Sequence, residues 1–506
     1  MSNLKLRAAR GSLYMPVVSF GMRPFSMILA ILLARLLSPA DFGLLAMAML
    51  IFNAANLFTD MGMRPTVVQT KEDINKVAHY AFVIAMGASI AFTLIAILIA
   101  EPLSALLGGS AQLPSIIRWM AIYVTIDGLW IIPEALLRRD LRFKELSLSQ
   151  IPGEIASVII AIPLALMGFG VWSLVIGNCL GQLLRAALLW SYYRPWIWLR
   201  PQKWDWPIVR GMLKFGLPSL GSGLLRYVQN QIDDFILGRR LGPTPLGYYN
   251  KAWNLTTRLS DMLTTSIFGN VLFPSYAKIQ DDKERLSRAY LKSTKMVLLM
   301  IVPVSVGLAI TARLLVPVLL GPKWAPMIPI WELFSLYGLT RPISTNSAPI
   351  FLAVGQPGRN LTASAVLLGV MLPLIFWLID PYGASGVAIA VSVASAVVML
   401  FNIYQVNQIL PKTAVQTIVQ SVPFLIAGGL MGISVVLLQP SIITLAGGEN
   451  LISLALVMLV GAITYLGAIL LLQRELILEL FELAIRALNL DRRWPRLLPA
   501  RLRANK

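Results

Sequence analysis

The sequence predicts an all-α polytopic membrane protein with about fourteen transmembrane helices. Its composition is 57% hydrophobic and only 13% charged, whereas soluble domains carry about 25% charged residues. Runs of about 20 apolar residues, the length that crosses a bilayer, recur along the chain. A stretch of fifteen residues also repeats between the two halves of the chain. Internal repeats of this kind are typical of membrane transporters.

The apolar runs define the predicted membrane spans. The first run is long, and no small-residue cleavage site follows it, so we expect it to remain as the first span. No sizeable soluble domain fits between the runs. The fourteen predicted spans are residues 13–36, 42–62, 78–100, 115–136, 149–168, 171–193, 211–238, 250–272, 293–320, 326–352, 360–379, 384–405, 414–438 and 451–472.

The repeat joins ARLLSPADFGLLAMA (Ala34–Ala48) to GRRLGPTPLGYYNKA (Gly238–Ala252), which begins 204 residues later. The two copies share Arg, Leu, Pro, Gly and Ala at equivalent positions. Each copy lies between two apolar segments, which predicts the tight turn of a helical hairpin. A second match joins Ala100–Gly109 to Ala312–Gly321 at an offset of 212 residues.

A third and weaker match pairs Gly170-Val171 with Gly386-Val387 at an offset of 216 residues. Each pair falls at an equivalent connection, so the chain is predicted to contain two six-helix lobes in the same orientation, related by an axis along the membrane normal. The predicted divisions are residues 1–205 for the first lobe, 206–410 for the second, 411–473 for two additional helices and 474–506 for a cytoplasmic tail.

The net charge of +19 is concentrated in alternate connections. By the positive-inside rule, this pattern predicts that both termini are cytoplasmic. Basic residues in short loops beside spans also attract anionic lipid headgroups, so we predict membrane lipids and not nucleic acid as their partners. The tail is expected to form an amphipathic helix over residues 474–490 on the inner surface. The basic runs occupy residues 138–144, 194–214, 278–295 and 474–506.

The sequence argues against several classes of site. Cys179 is the single cysteine and His79 the single histidine, so no internal disulfide and no metal site based on these residue types is expected. Both are predicted to be ordinary packing or interface residues. The chain has no phosphate-binding GxxxxGK[ST] loop, no HExxH motif and no nucleophile elbow. We therefore expect neither an enzyme nor a bound cofactor.

Arginines near the middle of predicted spans are the candidate substrate-binding residues. Arg23 lies about ten residues into the first span, beside Pro24, and Arg226 lies about fifteen residues into the seventh. An arginine near the bilayer centre costs roughly 2.5 kcal/mol on insertion scales unless it faces water or a partner. Arg23, Arg226 and Arg258 are therefore predicted to line a water-filled cavity that attracts an anionic substrate.

Internal ion pairs are the alternative interpretation, for example Arg226 with Asp233 or Arg258 with Asp261. Near the ends of their spans, Glu134 and Arg341 are predicted to be structural. The candidate ion-coupling groups are Asp233, Asp234 and Asp127. The sequence does not choose between coupling to H⁺ and coupling to Na⁺.

Several segments resemble a known family of bacterial exporters. RLLSPADFGLLAMA is followed by LFTDMGMRPTVVQ (Leu57–Gln69), and the second half contains DDFILGRRLGPTPLGYYNKA (Asp233–Ala252). These segments resemble Wzx-type lipid-linked oligosaccharide flippases of the multidrug/oligosaccharidyl-lipid/polysaccharide exporter superfamily. The segment GFGVWSLVIG (Gly168–Gly177) resembles the polysaccharide exporter branch that contains the colanic acid exporter.

The resemblance implies a two-lobed, MATE-like fold with a central cavity. It implies export of an undecaprenyl-diphosphate-linked repeat unit across the inner membrane, by alternating access, for exopolysaccharide, capsule or O-antigen assembly. The resemblance also implies that Arg23 and Arg226 correspond to the cavity arginines of related lipid flippases. By the same resemblance, the final two spans form a groove for the polyprenyl tail, and a polysaccharide polymerase or chain-length machinery is a candidate partner.

The chemistry agrees with an anionic, lipid-linked substrate. Guanidinium groups pair well with phosphate oxygens, and an inside-negative potential favours outward movement of an anion by roughly 2.3 kcal/mol per charge per 100 mV. A cation-coupled drug antiporter of the MATE type is the runner-up, although cavity arginines would repel a cationic drug. A membrane-embedded enzyme would be expected to have a large outer loop or a soluble domain. A scaffold for assembly machinery stays open from the sequence.

Overall fold

The computed structural model describes residues 27–193, 198–263 and 272–479, and all regular elements in these ranges are helices. Short connections join most of them. One 3₁₀ helix, Pro322–Met327, lies between the α-helices that end at Leu320 and begin at Ile328. The α-helices are α1 (Met27–Leu36), α2 (Pro39–Asp60), α3 (Met63–Gln69), α4 (Ile74–Leu98), α5 (Ala100–Leu106), α6 (Leu113–Arg139), α7 (Phe143–Leu166), α8 (Val171–Tyr192), α9 (Trp206–Leu241), α10 (Pro243–Leu263), α11 (Leu272–Ala277), α12 (Lys283–Leu320), α13 (Ile328–Thr345), α14 (Ala348–Ala353), α15 (Gly358–Ile409), α16 (Thr413–Leu445) and α17 (Leu451–Leu472).

These helices confirm the predicted fold class, an all-α multi-pass membrane protein. Within the described ranges, nine helical stretches are long and apolar enough to cross a membrane. One of them, α15, is 52 residues long and contains two predicted spans. The more polar helix α9 contains the predicted span 211–238. The helix α10 begins seven residues before the predicted span 250–272, and residues 264–271 of that span lie outside the described residues. The first predicted span is residues 13–36, and of these only 27–36, which form α1, lie within the described residues.

Both hairpin turns predicted from the repeat are present. In the first copy, the Ser38 hydroxyl accepts a hydrogen bond from the Asp41 amide, and the Asp41 carboxylate accepts one from the Ser38 amide. This capping box starts α2 at Pro39, because each side chain satisfies an amide that the first helical turn leaves free. In the second copy, Gly242 joins α9 to α10 with a φ of +84°.

The two turns also pack against each other. At the start of α2, Gly43 lies against the backbone of Pro243, and at the start of α10, Gly247 lies against the backbone of Pro39. Neither glycine leaves room for a Cβ atom. We call this reciprocal contact the α2–α10 crossing. The sequence repeat therefore marks a point of direct contact between its own two copies.

The third repeat pair is corrected by the backbone. Gly170 (φ 55°, ψ −132°) and Gly383 (φ 57°, ψ −136°) share one left-handed conformation that glycine adopts most readily. Gly170 therefore corresponds to Gly383, and the predicted match to Gly386 was wrong. Gly386 instead packs on the carbonyl of Leu378, because the chain folds back at the Gly383 bend within α15. The sequence match aligned the Gly-Val pairs at residues 170–171 and 386–387. In the second copy, however, the bend lies at Gly383, three residues before that pair.

The described residues group into two compact units. The first contains those up to Met262 together with Leu319–Phe334 and Ser364–Ala394, and the second contains the remainder from Leu263. A buried core in the first unit includes Met63, Tyr80 and Trp198. The second unit has its own cores, one of which contains Ile301, Phe424 and Tyr465. The predicted lobe boundaries at residues 205 and 410 stay predictions. Of the predicted tail helix, residues 474–479 are helical and the rest lies outside the described residues.

Candidate functional site

A cavity of about 400 Å³ lies in the first unit, between residues of α1, α2, α8, α9 and α10. Its apolar lining includes Phe42, Met49 and Trp253. Five amide side chains and three charged side chains complete the wall. These polar residues are Asn53, Asn178, Gln231, Asn250, Asn254, Asp234, Lys251 and Arg258.

Helix α10 supplies half of the polar lining because its polar residues follow the helical period. Asn250, Asn254 and Arg258 are spaced four residues apart, which places them along one face. The amide of Asn250 donates a 3.2 Å hydrogen bond to the carboxylate of Asp234 on α9. With two cationic side chains and one carboxylate, the described lining carries an excess of positive charge. The cavity is therefore suited to an anionic group.

Lys251 is the most enclosed cation in the lining, with only 8% of its surface exposed. Its Nζ donates a 3.1 Å hydrogen bond to the carbonyl oxygen of Ala30 on α1. The same nitrogen lies 4.4 Å from the centre of the Phe42 ring and 5.8 Å from that of Trp324. Both rings stabilise the ammonium group through their π faces. Sequence reasoning missed Lys251, although it lies directly beside the polar face of α10.

The C-terminal end of α1 is held by the 3₁₀ helix. The Trp324 indole donates a 2.8 Å hydrogen bond to the carbonyl of Ala34, and Lys323 donates a 2.7 Å hydrogen bond to that of Arg35. Arg35 in turn donates a 2.7 Å hydrogen bond to the carbonyl of Leu319. Desolvation lowers the pKa of the Lys323 amine, and the Asp41 carboxylate opposes this shift. These bonds satisfy helix-terminal carbonyls that lack intrahelical partners.

The cavity brings together two of the predicted site residues, Arg258 and Asp234. Asp233 precedes Asp234 in the chain. It is buried and accepts a 2.5 Å hydrogen bond from the hydroxyl of Tyr249. Arg226 is exposed on α9 and is not part of the described lining. Within the described residues, it forms no ion pair with Asp233. The side chain of Asp261, and all of Arg23 and Pro24, lie outside the described residues.

Asp127, the remaining predicted coupling residue, is not part of the cavity wall that the structure describes. It is buried in α6 and accepts a 2.9 Å hydrogen bond from the indole of Trp130. The guanidinium carbons of Arg185 and Arg64 lie 3.9 Å and 4.9 Å from the centre of the Trp130 ring. Asp127 therefore borders a charged cluster of its own, built from α3, α6 and α8.

Glu134 is the centre of that cluster, which we call the Glu134 cluster. Its carboxylate is 2.6 Å from Arg138, 3.3 Å from Arg185 and 4.0 Å from Arg64. Sequence reasoning assigned Glu134 a structural role but named none of the partners on other helices. Within the described ranges, no three His, Cys, Asp or Glu side chains group closely enough to hold a metal ion.

Residues 32–329 match the sequence profile of a family described as polysaccharide biosynthesis protein. The succinoglycan biosynthesis transport protein ExoT of Rhizobium meliloti (strain 1021) is 27% identical over 328 residues, 64% of this chain and 65% of ExoT. The match therefore spans slightly less than two thirds of ExoT. The lipopolysaccharide biosynthesis protein WzxC of Escherichia coli (strain K12) is 26% identical over 361 residues, 71% of this chain and 72% of WzxC.

Solved structures share the fold. The lipid II flippase MurJ in its inward closed conformation matches with a TM-score of 0.74 at 17% identity, over 92% of this chain and all of MurJ. An inward-facing multidrug resistance MATE family transporter of the MOP superfamily matches with a TM-score of 0.62 at 14% identity, over 78% of this chain and 98% of the transporter. The predicted MATE-like helical fold is confirmed by these matches.

Proposed function

Because this chain belongs to the polysaccharide biosynthesis protein family, we propose that it is a flippase for a lipid-linked oligosaccharide. It moves an undecaprenyl-diphosphate-linked repeat unit from the cytoplasmic to the outer face of the inner membrane, by alternating access. The product serves exopolysaccharide, capsule or O-antigen assembly, as the names of its relatives suggest. The observation that carries the proposal is the cavity with an excess of positive charge and an amide-rich wall.

In this proposal, the cationic side chains of the cavity bind the diphosphate of the substrate. Arg258 is exposed and, within the described residues, makes no hydrogen bond or ion pair, so its guanidinium group is available to a ligand. A guanidinium group binds phosphate oxygens through two parallel hydrogen bonds. Lys251 adds a second charge whose position is set by Ala30, Phe42 and Trp324. Arg23 and Arg226 remain proposed contributors to the same headgroup site.

The five amide side chains of the lining, which we call the amide wall, bind the sugar next to the diphosphate in this proposal. Each amide side chain both donates and accepts hydrogen bonds, which suits the many hydroxyls of a sugar. Asn53 and Asn178 make no hydrogen bond within the described residues, so both are available to a ligand. The cavity volume lies within the range of about 300–1,000 Å³ that is common for small-molecule sites.

Asp234 is the proposed coupling group, with Asp233 beside it. Each carboxylate is buried and has one oxygen without a hydrogen-bond partner among the described residues. Adjacent buried carboxylates repel each other, so the uptake of one proton or one sodium ion would relieve the pair. Asp127 is a second and separate candidate. Flipping in proteoliposomes under an imposed pH gradient or sodium gradient distinguishes the two ions, and Asp234→Asn is expected to abolish the response to the effective gradient.

The polyprenyl tail is assigned to an apolar groove of the second unit. The groove has a volume of about 520 Å³ and lies between α12 and α16. Val306 and Ile310 line one side, and Leu425, Ile433 and Val436 line the other. Helix α16 is the first of the two final spans, which the family resemblance associates with the lipid tail.

The test is a chromosomal deletion complemented with the intact gene or with variants. The deletion is expected to accumulate sugar-loaded undecaprenyl diphosphate on the inner face and to lose the exported polymer. The variant with both Arg258→Gln and Lys251→Met is expected to reproduce the deletion while still inserting in the membrane. The exposed residues Lys278 and Arg288 provide the control variant with Lys278→Met and Arg288→Gln.

Unchanged lipid-linked sugars in the deletion would refute a flippase. Normal export by the double variant would refute the cavity assignment alone. Loss of drug resistance in the deletion, with normal polymer, would favour the MATE-type antiporter instead. Variants with Arg23→Ala and Arg226→Ala test the two remaining arginines in the same assay.

A further inference from the structure

The start of α9 carries an exposed aromatic and basic surface that the proposed transport site does not use. Trp206 is 66% exposed, and Trp204 is 43% exposed. Their rings lie 5.8 Å apart in an edge-to-face arrangement. A cavity of about 640 Å³ is lined by Trp206, Pro207, Arg210 and Leu213. We call this surface the Trp206 surface.

The Trp206 surface is held rigidly by the core beneath it. The Tyr80 hydroxyl donates a hydrogen bond to the carbonyl of Lys203, and the Tyr80 ring lies 5.1 Å from that of Trp204. Beside this surface on α9, Val209 and Met212 are buried against α3, α4 and α6. These contacts fix the backbone that carries Trp204 and Trp206, so both indoles stay at the surface.

The charge of this segment is strongly positive. Among residues 200–214 the basic side chains are Arg200, Lys203, Arg210 and Lys214, and Asp205 is the single acid. All four basic residues are exposed, and none forms an ion pair within the described part of the chain. Their charges are therefore available to an external anion. Phosphate is the anion that such groups bind best beside a membrane.

The length of α9 places this charge at the level of lipid headgroups. At 36 residues the helix is about 54 Å long, whereas the hydrocarbon core of a bilayer is about 30 Å thick. The predicted span 211–238 begins directly after Arg210, so we place Trp204, Trp206 and Arg210 at the interface, where tryptophan and arginine are favoured. Further along the same face of the helix, Leu217 is also exposed, at 52%. The surface therefore passes from aromatic and basic to apolar, as a phospholipid passes from headgroup to acyl chain.

We propose that the Trp206 surface is a binding site for an anionic phospholipid of the surrounding membrane. The phosphate is bound by Arg210, with Lys203 and Lys214 beside it. The indoles of Trp204 and Trp206 border the glycerol region, and an acyl chain lies along Leu213 and Leu217. A zwitterionic lipid fits less well because its own cation is repelled by the same side chains. The site is independent of the proposed transport cavity.

The test uses the full-length protein purified in a mild detergent and titrated with phosphatidylglycerol or phosphatidylcholine. Native mass spectrometry measures how much of each lipid is retained. The intact protein is expected to retain phosphatidylglycerol more strongly, and Arg210→Gln is expected to weaken this retention about fivefold, the effect of one basic residue near an anionic surface. Trp206→Ala is expected to weaken retention of both lipids. Arg210→Lys keeps the charge and should keep most of the preference.

The matched control is Arg288→Gln, since Arg288 is an exposed arginine of another predicted cytoplasmic segment. Equal retention of the two lipids by the intact protein would overturn the proposal, as would unchanged retention by Arg210→Gln. If Arg210→Gln does not assemble, retention of phosphatidylglycerol is compared between Lys203→Gln and Arg210→Lys. Weaker retention by Lys203→Gln supports the proposal, and equal retention by the two variants overturns it. Displacement of phosphatidylglycerol by an equal concentration of undecaprenyl phosphate would also overturn it, since the surface would then belong to the carrier lipid.

Discussion

Gly43 packs so closely against Pro243 that a Cβ atom on the glycine would lie 1.7 Å from the proline carbonyl oxygen. The same relationship recurs with the helices exchanged, since a Cβ atom on Gly247 would lie 1.8 Å from the carbonyl oxygen of Pro39. Backbone atoms cannot move aside as a flexible side chain can. The α2–α10 crossing therefore depends on both glycines.

Gly43→Ala and Gly247→Ala are each expected to destabilise the protein by at least about 1–3 kcal/mol, the usual cost of overpacking. Thermal unfolding of the purified protein in detergent measures the effect. Gly87→Ala is the control, because nothing lies within 4 Å of its Cβ position in α4 and alanine favours a helix. Equal melting temperatures for the Gly43→Ala and Gly87→Ala variants would contradict the close approach.

Glu134→Gln is expected to destabilise the protein by about 1.5–3 kcal/mol, because the buried carboxylate loses its charge-assisted hydrogen bonds to partly exposed arginines. Its carboxylate is only 3% exposed and lies near three arginines. Glu101→Gln removes an exposed partner of Arg118 and is expected to cost about 0–1 kcal/mol. Comparable losses of thermal stability for the two variants would show that the Glu134 cluster is not held by its charges.

Trp324→Phe tests how the end of α1 is held. The indole is fully buried, and its N–H donates to the carbonyl of Ala34. Phenylalanine leaves that carbonyl without its partner and leaves a void, so a loss of at least about 1 kcal/mol is expected. Trp377→Phe is the control, because 73% of that side chain is exposed. A melting temperature of Trp324→Phe as high as that of the control would refute the assigned role.

Asn178→Leu tests the amide wall without disturbing an internal hydrogen bond. Since Asn178 makes none within the described residues, its replacement should leave thermal stability almost unchanged. Export measured in the complemented deletion strain is expected to fall roughly two- to tenfold, the value of one hydrogen bond to the substrate. The exposed Gln416 on α16 provides the control Gln416→Leu. Export as high as in the intact protein would remove Asn178 from the site.

Much of the fold follows from local features of the sequence. Apolar runs of the right length located most of the helices, and the repeated proline and glycine located the two hairpin turns. The helices α2 and α10 begin earlier than the predicted spans 42–62 and 250–272, at Pro39 and Pro243. The bend of α15 lies within the predicted connection 379–384, because Gly383 permits a φ that other residues rarely adopt. Arg258 was predicted to be a cavity residue because it is a charged residue within a span, and it lines the described cavity. Features of this kind depend on neighbouring residues only.

The site was predicted less completely because its geometry depends on distant residues. Lys251 is buried through Ala30, which lies 221 residues earlier, and through Trp324. Arg185 on α8 donates a hydrogen bond to Glu134 on α6, which lies 51 residues earlier in the chain. No local pattern encodes these distances, so sequence reasoning could name charged residues in spans but could not pair them. Asp127 was grouped with Asp233 and Asp234 on charge alone, and the structure places it beside Trp130 instead.

The order of residues along the chain gives the Glu134 cluster a consequence for membrane insertion. Arg138 lies four residues after Glu134, so α6 carries its own neutralising partner as it leaves the ribosome. Arg185 follows on α8, when the acceptor carboxylate is already in the bilayer. Arg185 is therefore never required to insert before its counter-charge. Exchanging Glu134 and Arg185 would reverse that sequence of events, with the same pair in the finished protein but an unpaired arginine during synthesis.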